Sequence, residues 1–430
     1  MKTILVSSTE PSVYKSLIAT FLCRTLTKKG FNVFPFKILS CTNDVYRTTE
    51  GNNIGRFQMI ESIACDKIPS ISMNPLLIYK DDDDNILYHR GRKIAKNSEI
   101  SSFNFKEIFK NEIESLDDKY DYCIIESCDT IDEKDTLNAL TAKLTDAFII
   151  SVDDLNIDLS DYDFHENFLK ASNFAVKNPN APIDIAILYT PYISSLMDIA
   201  PLSIEEDVSL RIIREAKEFG NPDLLIIPGS SNTCKDMIYV RKYNLDDIVR
   251  EYSKDGLILG ICGGYQLLGQ KLIDPFGVES EIKEQSAIGL LNVDTIFEKT
   301  SVYNRASGKI IPLNMEIEGV ENHFGVSYNN EVNKDFIHLN IENQKEISKN
   351  EGAYNDSFNV FGTYLHRCFE IPYFRAYLLN RIREKKSLKK SVSKHYNEYL
   401  INEIDKITEN FKLKLGFKFY LERILLWERF

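Results

Sequence analysis

A thiol becomes a useful nucleophile when a fold presents it on a sharp turn and lowers its proton affinity. One cysteine of this chain sits in a sequence that builds such a turn. The apolar run Leu257-Ile258-Leu259 leads into Gly260-Ile261-Cys262-Gly263-Gly264 and then Tyr265-Gln266-Leu267-Leu268-Gly269. Strand, Gly-x-Cys-x-Gly and helix make the cysteine form of a nucleophile elbow, with glycines where side chains would collide. A helix N-terminus behind the thiol lowers its pKa, and backbone N–H groups there, Gly263 among them, can stabilise an oxyanion. The eight cysteines are otherwise scattered and form no Cys-x-x-Cys pair. That pattern reads as reduced thiols rather than a disulfide frame or a zinc site.

A cysteine nucleophile needs a base. Asn359-Val360-Phe361-Gly362-Thr363-Tyr364-Leu365-His366 reads as a strand ending in histidine, and strand ends carry the catalytic groups of parallel α/β sheets. A lone histidine is more often a satisfied core or surface residue; beside a cysteine elbow the reading of His366 as base is favoured. A third piece is Pro228-Gly229-Ser230-Ser231-Asn232-Thr233, directly after the run Leu224-Leu225-Ile226-Ile227. It is either a plain turn or, through Gly229 and Ser230, the source of a second oxyanion donor.

The elements that must position these groups alternate between strand and helix. The first half shows strands at Thr3 to Val6, Asn32 to Phe36, Tyr122 to Ile125 and Ala147 to Val152, with a helix from Ser16 to Lys29 closed by Gly30. Such alternation builds an open parallel sheet. The polar stretch Asp153 to Pro182 ends in Asn178-Pro179-Asn180-Ala181-Pro182, a turn-rich boundary that sets domains of 1–180 and 181–430. Beyond it the pattern resumes, with strands at Ile183 to Tyr189, Leu224 to Ile227 and Leu257 to Ile261, and helices at Asp236 to Tyr252 and Tyr265 to Leu272. The tail from Ile371 to Phe430 reads as helical, with Lys385 to Lys394 a basic connector. Asp81 to Asp84 read as a hairpin or surface loop, since adjacent side chains point apart and make a poor metal site.

With 52 Lys and Arg against 64 Asp and Glu, the chain carries a formal charge of −12. An acidic chain of ordinary globular composition is not expected to bind nucleic acid or anionic membrane. No stretch approaches the ~20 apolar residues of a spanning helix, and the N-terminus enters a strand without a signal-like core. A cytoplasmic protein is expected.

The elbow Gly260 to Gly269, the loop Pro228 to Thr233 and Gly362-Thr363-Tyr364-Leu365-His366 resemble the glutaminase domain of the cobyric acid synthase family. Further segments resemble that family in order: Pro35-Phe36-Lys37, Gly55-Arg56-Phe57-Gln58, Ser72 to Leu77, Asp198-Ile199-Ala200-Pro201-Leu202 and Glu321-Asn322-His323-Phe324-Gly325. The resemblance implies an α/β protein of two doubly wound parallel-sheet domains. The first is P-loop and dethiobiotin synthetase-like; the second is class I glutamine amidotransferase-like. It implies glutamine as the nitrogen donor, a thioester on Cys262, and ATP-dependent amidation of peripheral carboxylates of a cobyrinate a,c-diamide, a corrinoid acceptor. The glutaminase triad usually has Glu two residues after its histidine; here Cys368 stands there, and Glu370 is assigned no role. His323 reads first as structural.

The same resemblance places ATP and Mg²⁺ at Lys15, Ser16 and Glu126, with Ser16 and Glu126 on the metal. Here the sequence departs from the family. Backbone N–H groups of a P-loop wrap phosphates closely where glycines leave room. In Ser8-Thr9-Glu10-Pro11-Ser12-Val13-Tyr14-Lys15-Ser16 both family glycines are replaced, by Ser8 and Tyr14. Pro11 removes a donor and Glu10 adds a negative charge. After Glu126 the usual Gly-Ala-Gly is Ser127-Cys128-Asp129. Two readings therefore stand: a complete ATP-dependent synthase, or a divergent glutaminase or corrinoid-binding homologue whose synthetase half has lost standard ATP use.

Overall fold

The computed structural model describes residues 1–8, 13–42, 44–50, 52–81, 84–96, 98–101, 105–116, 119–128, 134–155, 178–194, 196–331 and 334–413. Glu10, Pro11 and Asp129 of the phosphate-site reading, and most of the expected boundary 153–182, lie outside them. The chain divides into two compact units, Met1–Asp163 with Asn397–Phe430, and Phe164–Tyr396.

In the first unit the apolar runs become a parallel sheet. Strands β1 (Lys2–Ser7), β2 (Val33–Phe36), β3 (Tyr122–Glu126) and β4 (Phe148–Ser151) lie in the order β4-β1-β3-β2. The register sets Val6 beside Glu126, so the ends of β1 and β3 lie side by side. Helix α1 (Val13–Lys28) follows β1, burying Leu17, Ile18, Phe21, Leu22 and Leu26 at helical spacing. Helix α2 (Arg56–Ala64) is buried along most of its length. Strands Leu76–Asp81 and Asp84–His89, on either side of the acidic run, pair antiparallel with Asp81 opposite Asp84; Asp82 and Asp83 lie outside the described residues.

Sequence spacing sets the tail with the second half, but its last helix belongs to the first unit. The reason is its apolar stripe, in which Ile404, Thr408 and Phe411 are buried. The Phe411 ring lies 5.4 Å from that of Phe21, and Arg24 on α1 bonds Asp405 at 2.6 Å and Asp66 at 2.8 Å.

The second unit centres on five parallel strands. They are β5 (Ile183–Leu188), β6 (Val208–Ile213), β7 (Leu224–Ile227), β8 (Leu257–Ile261) and β13 (Val360–Thr363), in the order β6-β5-β7-β8-β13. Between β8 and β13 the chain builds strands the sequence pattern did not announce. These are β9 (Val293–Ile310), β10 (Met315–Asn329), β11 (Asp335–Glu342) and β12 (Lys345–Tyr354), which extend the sheet antiparallel beyond β13. The single helix expected over Asp236 to Tyr252 is two, Thr233–Lys242 and Leu245–Tyr252. Asn244 between them takes φ 52°, a left-handed conformation that Asn tolerates and a helix does not. The helix expected from Tyr265 to Leu272 is Gly263–Leu268, and Lys271–Ile273 is a strand. The tail separates into helices Pro372–Lys385 and Tyr396–Leu413. Among the described residues no helix is long and apolar enough to cross a membrane.

Phe411 is fully buried, and truncating such a ring costs about 3–5 kcal/mol. Phe411→Ala is expected to lower the stability of the first unit by that order, read in urea melts. A melt superimposable on that of the parent would show that the docked helix contributes nothing.

Candidate active site

Four chain segments meet at the C-terminal edge of the second sheet. Cys262 follows β8 and caps the helix Gly263–Leu268, with φ 52° and ψ −109°, a backbone conformation costing on the order of 1–3 kcal/mol for a non-glycine residue. The turn is held by two backbone bonds: Cys262 N–H donates to the Thr363 carbonyl at 2.8 Å, and the Cys262 carbonyl accepts from Gln266 N–H at 3.1 Å. Glycines are required around it. A Cβ on Gly264 would stand 1.9 Å from the Ile227 carbonyl oxygen, and one on Gly263 would stand 2.6 Å from Ser230 N. The loop after β7 and the start of the elbow helix therefore touch backbone to backbone.

His366 follows β13. It is fully buried, and its Nδ1 lies 2.6 Å from Asp198 Oδ2 while Arg367 N–H donates to Asp198 Oδ1 at 2.8 Å. A carboxylate accepts, so Nδ1 carries the proton and Nε2 is left as the basic nitrogen. Asp198 ends the short turn Leu196–Asp198 beyond β5. It completes the Cys, His and carboxylate set that the sequence reading left with two members. Its segment, Asp-Ile-Ala-Pro-Leu, was visible only as a resemblance with no role attached. The position two after His366 holds Cys368, a thiol whose pKa burial pushes up, and Glu370 is spent on Arg367 at 2.7 Å.

Both Cys262 and His366 abut β10, within two residues of each other. Val320 and His366 exchange backbone bonds of 3.3 and 2.9 Å, and Cys262 Sγ donates to the Asn322 carbonyl at 3.4 Å. Gly229 faces His366, since a Cβ there would come 3.1 Å from its Cε1. The Ser230 hydroxyl does not face the thiol but donates to Asp236 Oδ2 at 2.5 Å. Asp236 also accepts from Thr190 Oγ1 and Tyr192 N–H. The loop is thus clamped by a buried carboxylate, and what Ser230 offers the turn is its backbone N–H.

In the first unit the predicted nucleotide residues also gather at strand ends. Lys15 and Ser16 are buried on α1. Lys15 Nζ donates to Ser127 Oγ at 3.2 Å, one residue beyond Glu126. Lys37 Nζ pairs with Glu126 Oε1 at 2.5 Å, and Gln58 Nε2 donates to Glu126 Oε2 at 3.4 Å. Glu61, on the same helix as Gln58, is fully buried, and its two oxygens lack a hydrogen-bond partner among the described residues. Burial and the neighbouring Glu126 push Glu61 well up. Burial would raise Glu126 too, but Lys37, Glu61 and Lys15 bring it below its usual range. Glu61 therefore keeps the proton and Glu126 carries the charge. Lys37 came from the Pro-Phe-Lys segment, and its pairing with Glu126 was not foreseen.

Beneath the end of β13, Glu351 accepts from Thr363 Oγ1 at 2.5 Å and Tyr364 N–H at 2.9 Å, which ties the turn that carries His366. Burial first, then the Glu321 charge, push its pKa up to about 8. The folded protein holds a proton that the unfolded chain gives up near the usual Glu value of about 4.3. This carboxyl thus favours the folded state below that value, and its contribution is lost as pH rises towards 8. Glu351→Gln is expected to flatten the decline of stability between about pH 5 and 8 in urea melts. An unchanged slope would show that Glu351 titrates normally.

Residues 184–374 match the model of the CobB/CobQ-like glutamine amidotransferase domain. A cobyric acid synthase of Clostridium kluyveri is 33% identical to this chain over 97% of it and 97% of its own length. Those of Clostridium botulinum and Clostridium acetobutylicum are each 32% identical, over 97% and 95% of this chain and 98% and 96% of their own. With relatives a third identical along nearly its whole length, the chain belongs to the cobyric acid synthase family.

Proposed function

We propose that this protein hydrolyses glutamine at Cys262 and uses the ammonia in ATP-dependent amidation of peripheral carboxylates of a corrinoid, a cobyrinate a,c-diamide, in cobalamin biosynthesis. The observation that carries the glutaminase half is the buried His366–Asp198 pair set against the same strand as the Cys262 elbow. A relative that spans 97% of the chain favours the complete synthase over a divergent glutaminase. On this reading the protein works in the cytoplasm.

The chemistry follows from the positions. His366 Nε2, its tautomer fixed by Asp198, takes the Cys262 proton, and Sγ attacks the side-chain carbonyl carbon of glutamine. The N–H groups of Gly263 and Ser230, on the two loops that touch, receive the oxyanion. His366 returns the proton to the departing nitrogen, which leaves as ammonia while the thioester forms. Water, deprotonated by His366, then attacks the thioester carbonyl and releases glutamate and the thiol.

At the edge of the first sheet, buried Lys15 and Lys37 offer two cations and Glu126 an ionised carboxylate, with the protonated Glu61 beside it. This donor set fits a nucleotide phosphate with its metal. Lys15 and Lys37 would hold phosphate oxygens, and Ser16 and Glu126 would hold Mg²⁺. When bound, ATP supplies phosphoryl activation of the acceptor carboxylate. Ser8 and Tyr14 replace the cradle glycines, so the lysines carry more of the binding than backbone N–H groups do.

Cys262→Ala is expected to abolish glutamate release. Asp198→Asn is expected to lower kcat by about 10²- to 10⁴-fold, since it frees the wrong tautomer, with an unchanged melting temperature. Activity within twofold of the parent would remove Asp198 from the mechanism. Calorimetric titration with ATP and Mg²⁺ should give binding that Lys15→Ala weakens at least tenfold. No heat at millimolar ATP would overturn the nucleotide half and leave the glutaminase half intact.

A further inference from the structure

Asp198 and His366 stand on two short turns, and both turns need support from outside. Asp198 ends the turn Leu196–Asp198, which runs into a second short turn, Ala200–Ile204. Turns of this kind have poor hydrogen-bond geometry and stay short. His366 is followed by Arg367 at φ 69° and then by the turn Cys368–Glu370. A left-handed arginine persists only where its surroundings over-determine it. The bond between Asp198 and His366 spans 168 positions of the chain, so a shift of either turn would part the two.

One buried cation reaches both segments. Arg375, in the helix Pro372–Lys385, is fully buried. Its Nε donates at 2.8 Å to Oε1 of Glu205, the residue directly after Ala200–Ile204. Its Nη1 donates to the carbonyl of Phe369, in the turn after His366. Its Nη2 donates to the carbonyl of Lys394, in the segment beyond the helix. The Glu205 side chain is 8% exposed, and Arg383 Nη2 approaches it as well, at 3.6 Å. A buried ion pair is weak evidence of stability, because apolar side chains of like volume often serve as well. An apolar side chain could not, however, bond three separate segments. The rigid, planar fork of arginine does so, and the rotatable ammonium of lysine does not reproduce its directions.

We propose that Arg375 is a positioning residue for glutamine hydrolysis, one that keeps Asp198 and His366 in register by holding the segments behind each of them. The front link runs from His366 Nδ1 to Asp198 Oδ2, and the rear link from Phe369 through Arg375 to Glu205. Two links between the same segments fix rotation as well as distance, which one link leaves free. Arg383, on the same helix and 1% exposed, supplies a contrast. Its Nε and Nη2 donate to Asp207 at 2.7 Å each and its Nη1 to Asn380 at 3.0 Å. Among the described residues none of these bonds goes to the turn after His366. This inference rests on the glutaminase reading above for the roles of Asp198 and His366.

Arg375→Lys in the full-length protein keeps the charge and loses the fork, and a urea melt shows whether the variant is folded. Its kcat for glutamate release is expected to fall at least about tenfold, since a misplacement of about 1 Å can cost 10²-fold. The KM for glutamine should stay within about twofold, because only the pair that moves the proton is disturbed. A second readout needs no turnover. The His366 Nδ1 proton, held against a carboxylate, gives a far-downfield NMR signal that Asp198→Asn identifies by removing it, and Arg375→Lys should shift or weaken that signal. Glu205→Gln acts on the other end of the link and should change both readouts in the same direction, even where Arg375→Lys does not fold. Arg383→Lys should cost stability while kcat stays within about twofold. Parental kcat in a folded Arg375→Lys or Glu205→Gln variant would overturn the proposal. So would a loss carried by KM, a loss of kcat with the His366 signal unmoved, or an equal loss in Arg383→Lys. Failure of the glutaminase reading shows separately, as an absence of Cys262-dependent glutamate release from the parent protein.

Discussion

Gly264 lies so near the end of β7 that a methyl group in place of its hydrogen would overlap the Ile227 carbonyl oxygen. Gly260 is as tightly placed from the other side, with the Gly264 carbonyl 2.6 Å from where its Cβ would be. These approaches let the elbow helix start directly against the neighbouring strand, and the remaining geometry of the site follows from that packing. The tight turn forces Cys262 to a positive φ. It brings Gly263 against Ser230, whose N lies 2.6 Å from where a Gly263 Cβ would stand, and sets the thiol on the Asn322 carbonyl of β10. Backbone strain of this kind persists only where the surroundings over-determine it. Here β13 supplies one restraint through Thr363, and Gln266 supplies another through the helix's first bond.

The two units treat their glycines differently for a physical reason. In the elbow, backbone meets backbone, and any side chain is excluded outright. At the end of β1, the family's glycines make room for phosphate oxygens, so a side chain there competes with a ligand rather than with the fold. Ser8 and Tyr14 can thus stand at those positions without disturbing β1, which forms over Lys2–Ser7, or α1, which starts at Val13, three residues before the expected Ser16. Two buried ammonium groups, Lys15 and Lys37, are drawn to one carboxylate edge there, on Ser127 and Glu126.

Local features of the chain were legible because their causes are local. The runs at 224–227 and 257–261 appear as strands over those same residues. Each is a short apolar segment ended by glycine or a turn. The Gly-x-Cys-x-Gly turn and the terminal histidine of β13 were readable for the same reason. Asp198 was not, because its partner lies 168 residues away and nothing near it in sequence distinguishes it from a surface aspartate. The antiparallel strands over 293–354 carry mixed, half-exposed patterns with no clean period. The docking of Phe411 on Phe21 joins the ends of the chain, and periodicity could show only that the last helix had an apolar stripe.

The carboxylate of the proposed Cys262, His366 and Asp198 set shows why geometry rather than spacing identifies such groups. A residue two positions after the histidine would reach Nδ1 from the same strand end. This chain places Cys368 there instead, buried and held protonated. Asp198 arrives from beyond β5, two strands away from β8 across β7 in the sheet. One oxygen holds the ring and the other holds the backbone of Arg367, so the carboxylate fixes both the tautomer of His366 and the turn that presents it. A group carried on the same strand end would move with the histidine; one anchored beyond β5 holds it against the body of the sheet. The orientation of His366 therefore depends on the parallel core staying assembled, and the Cys262 thiol depends on the same core through the close approach of Gly264 to Ile227.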